Sequence, residues 1–248
     1  MKFHAMLTAG VLLCLACPQT ILGYAAILNK ADHTEVRIVP APGKVTIDGD
    51  LRDWDMSGAI LIFIDEKSKD THHLYGAMMY DKDYLYVGGR LKDPTPMMNQ
   101  YHFGGQVKAA WNADALQINL LANPKVRSNA SGNTGRRMPE EDQRVLNFFW
   151  LWYSTRDKAA GFYGIRTFKY KDGRFNPPGM QGRWIKDADG KGSTFEYRIP
   201  WNALYVTEPM KGGDAIQMIW QVHRGNDRGT ELKTGVNGVR TAPAGVGP

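Results

Sequence analysis

The sequence predicts an all-β fold, a two-sheet antiparallel β-sandwich. Apolar and polar residues alternate with a period of two along much of the chain, which is the pattern of a strand with one buried face. No segment of ordinary helical length keeps a 3.6-residue apolar rhythm. Short runs rich in Asp, Gly and Lys separate the alternating segments, as hairpin turns do.

The first 25 residues have the three parts of a secretory signal peptide. Lys2 precedes an apolar run from Ala5 to Leu15, and a small-residue cleavage site follows at Gly23-Tyr24-Ala25. A lipid-attachment site at Cys17 is the alternative. We therefore expect an exported protein, periplasmic or extracellular. No later segment is apolar for the roughly 20 residues that a membrane-spanning helix needs, so no membrane span is expected.

The mature chain, residues 26–248, is expected to be a single domain with its core between about residues 36 and 234. Cys14 and Cys17, the two cysteines, lie in the leader, so neither a disulfide nor a thiolate metal site is expected. Basic residues concentrate only in one polar loop, at Lys125, Arg127, Arg136 and Arg137. Because no aromatic stacking residues separate them, nucleic-acid binding is not expected.

Nine segments are expected to form strands. They are residues 45–47, 60–64, 74–80, 84–91, 115–121, 145–153, 162–170, 194–199 and 216–222. Leu116 and its period-two neighbours are apolar, so Gln117 lies on the opposite, solvent-side face of its strand. Pro200 ends its strand because it has no amide hydrogen. Residues 123–142 and the tail after Thr234 are expected to be mobile.

The densest acidic cluster is the segment IDGDLRDWD, which contains Asp48, Asp50, Asp53 and Asp55. Paired carboxylates can catalyse glycoside hydrolysis, but these four share one loop. Aspartates in such a loop more often make turns or hold a cation. The motifs GxSxG and HExxH are absent, and we expect a protein that is not an enzyme.

Tryptophan and amide side chains point to carbohydrate. Trp111 follows a glycine-rich loop and precedes the Leu116 strand, so its indole is expected at a strand mouth. A sugar ring packs its C–H face on an aromatic plane and needs donors and acceptors around its rim. Gln117, Asn147 and Gln221 are expected to supply them from one sheet face. The alternative is that these amides form the wet face of an antiparallel sheet. Trp54, Trp150, Trp152, Trp201 and Trp220 are expected in the core.

Five segments in order resemble family 9 carbohydrate-binding modules and the wider DOMON-like sandwiches of jelly-roll type. They are VTIDGDLRDW, YDKDYLYVGGRLKDP, WNADALQINL, FEYRIPWNAL and IQMIWQVHRGND, which together span about residues 44–229. The resemblance implies a sugar held between two tryptophans, with bound structural calcium in some members. By position it implies that Trp111 is the first of these tryptophans and that Asn147 and Gln221 contact the sugar.

This chain departs from the family pattern at three places. Gln117 stands where the pattern has a glutamate, and Val145 stands where it has an arginine, unless the register shifts to Arg144. The second tryptophan, expected after the last motif, is absent. Either the sequence is a truncated piece, or this member binds weakly and from one side, because one missing aromatic wall removes about 1 to 3 kcal/mol.

The expected function is non-catalytic binding of an oligo- or polysaccharide, beside a linked or neighbouring glycoside hydrolase whose effective concentration at the substrate it raises. A haem-binding DOMON-like electron-transfer domain is the second hypothesis, with Met78, Met79 or His223 as iron ligands. A structural or adhesion domain is the third. The site residues are expected to be Trp111, Gln117, Asn147 and Gln221, and no metal ligands are assigned.

Overall fold

The computed structural model describes residues 37–63, 66–121, 146–165, 173–206, 208 and 210–246. The predicted signal peptide, the predicted mobile segment 123–142 with its basic residues, and the Arg144 and Val145 positions lie outside these ranges. Of residues 234–246 the structure describes the backbone.

Within the described residues the chain forms twelve strands, joined by loops and short 3-10 helices. The strands are β1 Arg37–Pro40, β2 Ile60–Phe63, β3 His73–Tyr80, β4 Tyr84–Lys92, β5 Ala115–Leu121, β6 Leu146–Ser154, β7 Ala159–Ile165, β8 Arg174–Phe175, β9 Gln181–Lys186, β10 Gly192–Pro200, β11 Ala215–Gly225 and β12 Leu232–Val246. No helix in this part of the chain has the length and apolar character that crossing a membrane requires.

The strands form two packed layers, as the sequence predicts for a β-sandwich. The first layer runs in the order β8, β7, β6, β5, β11 and β12, and the second in the order β3, β4, β10 and β9, with β2 also paired to β3. Strand β1 joins the layers because it pairs in parallel with both β12 and β3. The other pairs are antiparallel.

The inner faces of the two layers pack together as one apolar core. Trp220 on β11 reaches across to β3, where a Cβ on Gly76 would lie 2.8 Å from the indole Cη2 atom. Only glycine leaves room for that close approach. Tyr197 on β10 makes the polar link, because its hydroxyl donates to the carbonyls of Trp152 at 2.9 Å and Gly161 at 3.2 Å. It also accepts a bond of 2.7 Å from Trp184 Nε1.

The structure corrects several strand boundaries. Residues 45–47, expected to be a strand, form a loop in which Val45 is buried. Strands β1, β8 and β9 were not expected from the sequence. The tail after Thr234 was expected to be mobile, yet its backbone forms β12, which pairs with β11 and β1. After Pro200 the chain forms the 3-10 helix Trp201–Leu204.

A covering segment lies on the outer face of each layer. Residues 41–58 cover half of the second layer, where Trp54 packs with Met79 and Tyr86. Residues 101–110 cover part of the first layer and pack on the aromatic residues of β6. Trp150 and Trp152 are therefore buried, as expected, but on the outer face of β6 beneath this segment.

Replacing Tyr197 by phenylalanine is expected to lower the free energy of unfolding by about 1 to 3 kcal/mol. The substitution leaves the Trp184 indole N–H and two buried carbonyls without their partner. Urea unfolding of both proteins measures the difference. Tyr75→Phe is the matched control, because Tyr75 is 43% exposed, and it should change stability by less than about 0.5 kcal/mol. Equal stability of Tyr197→Phe and the native protein would contradict the role assigned to this hydroxyl.

Candidate functional site

Two of the predicted site residues lie together on the outer face of the first layer. Gln117 on β5 and Gln221 on β11 stand directly opposite each other in the register. Gln117 Nε2 donates to Gln221 Oε1, and Trp150 Nε1 donates to Gln117 Oε1 at 3.0 Å. The glutamines are only 5% and 6% exposed, so this amide pair is buried. The alternative that these two amides form the solvent-exposed face of a sheet is therefore wrong.

Asn147 does not join the amide pair, which corrects the expectation that the three amides share one face. It has the same strand parity on β6 as Phe149 and Leu151, which pack in the inner core. Its Nδ2 donates to the carbonyl of Leu204 at 2.5 Å, and the residue is 2% exposed. Asn147 therefore ties β6 to the 3-10 helix after β10 and does not face the same surface as Gln221.

Aromatic residues continue the amide pair across the first layer. The register aligns side chains from five neighbouring strands in one row. The row consists of Gln221, Gln117, Trp150, Tyr163 and Phe175. Trp150 and Tyr163 are stacked, with ring centroids 5.5 Å apart and planes at 12°. In this outer row the side chains on β11 and β5 are amides, and those on β6, β7 and β8 are aromatic rings.

Trp111 is exposed at the edge of this surface, as the sequence predicts. It lies in the 3-10 helix Val107–Asn112, immediately before β5, and is 40% exposed. All seven tryptophans fall within the described residues, and each of the other six is at most 7% exposed. Trp111 is therefore the tryptophan that a ligand can reach without displacing other side chains.

A set of buried polar contacts holds the segment that carries Trp111 against β11. His223 on β11 donates from Nδ1 to the carbonyl of Trp111 at 2.6 Å. Nδ1 carries the proton because a carbonyl can only accept. His223 lies two residues from Gln221 on the same face of the strand, a separation of about 7 Å. The backbone of Trp111 is thus held close to the amide pair.

Asp114 is the second anchor of this segment. Its carboxyl group accepts bonds of 2.7 Å from the amides of Met98 and Gly225, so it joins both ends of the covering loop to the end of β11. Burial, together with the nearby charge of Asp93, raises the pKa of Asp114 to about 7. The two amides and Arg224 act in the opposite direction. Burial lowers the pKa of His223, which favours the neutral imidazole.

The acidic segment after Val45 makes turns, as expected. Asp50 accepts a hydrogen bond from the amide of Arg52, and Asp55 accepts one from the amide of Ser57. Each aspartate caps the start of a short 3-10 helix. The residue that anchors this segment is Glu196 on β10, for which no local sequence motif provides a signal. Its carboxyl group accepts from Trp54 Nε1 at 2.6 Å.

The same carboxyl group also accepts from the amides of Asp48, at 3.0 Å, and Gly49. Burial raises the pKa of Glu196 to about 7. The buried carboxyl group of Glu196 therefore holds the loop on the sheet, and its role is structural.

The described residues do not favour a metal or haem site. No group of three or more His, Cys, Asp or Glu side chains in these ranges is placed to hold a metal ion, so no calcium ligands are assigned and calcium binding stays a prediction. Met78 packs in the inner core, whereas Met79 packs beneath the 41–58 segment. The methionines therefore face opposite sides of β3, and no observation favours iron ligation by either of them or by His223.

The fold and this surface define a β-sandwich with one exposed tryptophan beside a buried amide pair. No family model and no curated protein matches the chain. Among solved structures, a family 9 carbohydrate-binding module from Caldicellulosiruptor kristjanssonii in complex with cellotriose is similar at 14% identity, over 82% of this chain and 83% of that chain, with a TM-score of 0.49. A structure of a family 9 module from the same organism in complex with glucose is similar at 14% identity, over 83% and 95%, with a TM-score of 0.46.

Both solved structures are modules of the family that the sequence motifs resemble. At these identities and TM-scores the likeness assigns neither a ligand nor a residue role to this chain. The DOMON-like part of the resemblance stays a prediction. A ligand has to be inferred from the side chains of this chain.

The contribution of Asp114 and Glu196 to stability is expected to fall as the pH rises from about 4 to 8. The pKa of Asp114 is raised from 3.8 to about 7 in the folded protein. Its contribution to stability is therefore fully present below pH 3.8 and is lost as the pH rises through about 7. Glu196, raised from 4.5 to about 7, acts in the same direction. Urea unfolding at several pH values measures this slope.

Asp114→Asn is the informative variant for this prediction. Asparagine does not ionise, so the decline in stability between pH 4 and 8 should become shallower in the variant. Asp189→Asn changes an exposed turn aspartate and should leave the slope unchanged. A slope that is the same in Asp114→Asn and the native protein would contradict the raised pKa.

Proposed function

We propose that this protein is an exported, non-catalytic carbohydrate-binding module that stacks one sugar ring on Trp111. The observation that carries the proposal is the exposure of Trp111, in a chain whose other tryptophans are buried. The apolar C–H face of a pyranose packs on such an indole, while its hydroxyls need paired donors and acceptors.

Gln221 is proposed to supply the polar contact. Its Oε1 accepts from Gln117 Nε2, and its own Nε2 is the group proposed to donate to a sugar hydroxyl. Gln117 is proposed to hold the side chain of Gln221 in place, because its own Oε1 is fixed by Trp150. Asn147 is not part of the proposed site.

The proposed biological role is binding by proximity. A module that holds a linked or neighbouring glycoside hydrolase on its polysaccharide raises the effective concentration of the enzyme without any chemistry of its own. The leader around Lys2, with its apolar run, supports export. A single aromatic wall supports weak binding, in the micromolar to millimolar range.

Trp111→Ala is expected to weaken binding of a soluble oligosaccharide by about 5- to 150-fold, which corresponds to about 1 to 3 kcal/mol of lost stacking. A glycan array identifies an oligosaccharide that the native protein binds, and isothermal titration calorimetry measures both affinities. Lys108→Ala is the matched control, because Lys108 is exposed in the same 3-10 helix. The control should bind within about twofold of the native protein.

The possible failures separate the site from the function. Full affinity of Trp111→Ala would show that the sugar binds elsewhere. Absence of glycan binding by the native protein, under conditions where it is folded, would refute the function. A Soret band in the purified protein would favour the haem hypothesis instead.

A further inference from the structure

The outer face of the second layer is open where the 41–58 segment ends. The row of side chains nearest to that segment crosses five strands in direct register. From β2 to β9 the row consists of Leu61, Tyr75, Arg90, Thr194 and Ile185. Tyr75 and Ile185 are 43% and 40% exposed. This surface is called the open face below.

The open face is basic. The five strands β2, β3, β4, β9 and β10 contain a single acidic residue, Glu196, which is buried beneath the 41–58 segment. Arg90, Lys92 and Arg183 on these strands are exposed and share the outer face with Tyr75. The five strands themselves supply no exposed carboxylate to this face. Asp48 and Asp53 of the 41–58 segment lie near Glu196, the cross-strand neighbour of Arg183, so the positive charge is least balanced at Arg90 and Lys92.

The partner of Arg90 comes from outside the strands. Asp187, in the turn after β9, lies 3.2 Å from its guanidinium, and the side chains of Arg90 and Asp187 are 61% and 27% exposed. Exposed pairs of this kind contribute little to stability. A ligand carboxylate can therefore replace Asp187 at little cost, and the planar guanidinium can bind it through two parallel hydrogen bonds.

We propose that the open face is a second glycan-binding surface that takes an acidic polysaccharide, one whose sugar rings carry carboxylates. A sugar ring stacks on the exposed phenol of Tyr75, and its carboxylate, or that of the next ring, meets Arg90 on the neighbouring strand. Lys92 and Arg183 extend the positive surface along and across the strands. Charge complementarity thus selects a polyanion, and the aromatic ring selects one built of sugars.

The dimensions of the open face suit a chain of sugars. Neighbouring strands are about 4.8 Å apart, so the three intervals from Tyr75 to Ile185 span about 14 Å, which exceeds the length of a single ring. Single-stranded nucleic acid is a poorer fit, because its binding sites stack successive bases on several aromatic side chains. Among the described residues, the open face presents one exposed aromatic side chain, Tyr75.

This surface does not depend on the site at Trp111. The open face belongs to the second layer, whereas Trp111 lies on the outer side of the first. The two surfaces therefore face away from each other across the core. A protein that binds both would connect two polysaccharide chains.

Affinity electrophoresis of the full chain in gels containing polygalacturonate tests the proposal. The double variant Lys92→Ala/Arg183→Ala is expected to weaken retardation by about tenfold in apparent affinity, and the effect should fade at high salt. Tyr75→Ala should also weaken it, by about fivefold. Trp111→Ala should leave it unchanged, so failure here and failure of the proposed function are distinguishable.

The test includes a control double variant, a methyl-esterified polymer and single-stranded DNA. Lys108→Ala/Arg156→Ala removes two exposed cations that belong to the first layer and its covering segment and should retain native binding. Fully methyl-esterified polygalacturonate lacks the charge and should bind weakly. Equal loss in this control double variant, equal retention by the esterified polymer, stronger binding of single-stranded DNA, or no retardation at all would each overturn the proposal.

Discussion

Two backbone amides, those of Met98 and Gly225, donate to the carboxyl group of Asp114, and this pair of bonds connects the loop before β5 to the end of β11. The bond from His223 to the carbonyl of Trp111 ties the same segment to β11. A fixed backbone is what makes an exposed indole useful, because a mobile ring would lose conformational entropy on binding a sugar. The proposed binding surface therefore rests on a buried carboxyl group that no ligand touches.

In the second layer, too, a buried carboxyl group holds a covering loop on the sheet. A loop covers half of its outer face, and the carboxyl group of Glu196 holds that loop through three N–H donors. Both anchoring carboxyls have pKa values raised to about 7 by burial, so both loops are tied to groups that titrate near neutral pH. The loop of the second layer also leaves part of its sheet face open around Tyr75.

The predicted part of the fold follows from local patterns. Strand β5 alternates apolar and polar residues, so the faces of Leu116 and Gln117 could be read from the sequence. Strand β6 is buried on both faces, so no polar alternation indicates the side on which Asn147 lies, and its face was predicted wrongly. Strand β12 has no strand pattern of its own and forms through pairing with β11 and β1. The anchors Asp114 and Glu196 act over long sequence separations that no local motif reveals.

An NMR titration of the indole N–H signals tests most directly whether a sugar ring lies on Trp111. The seven tryptophans give seven indole signals, and the titrant is the oligosaccharide that the native protein binds on the array. We expect the Trp111 indole and the side-chain amide of Gln221 to shift in a saturable way, while the buried indoles of Trp184, Trp201 and Trp220 stay in place. Saturable shifts confined to residues away from Trp111 and Gln221 would contradict the proposed site.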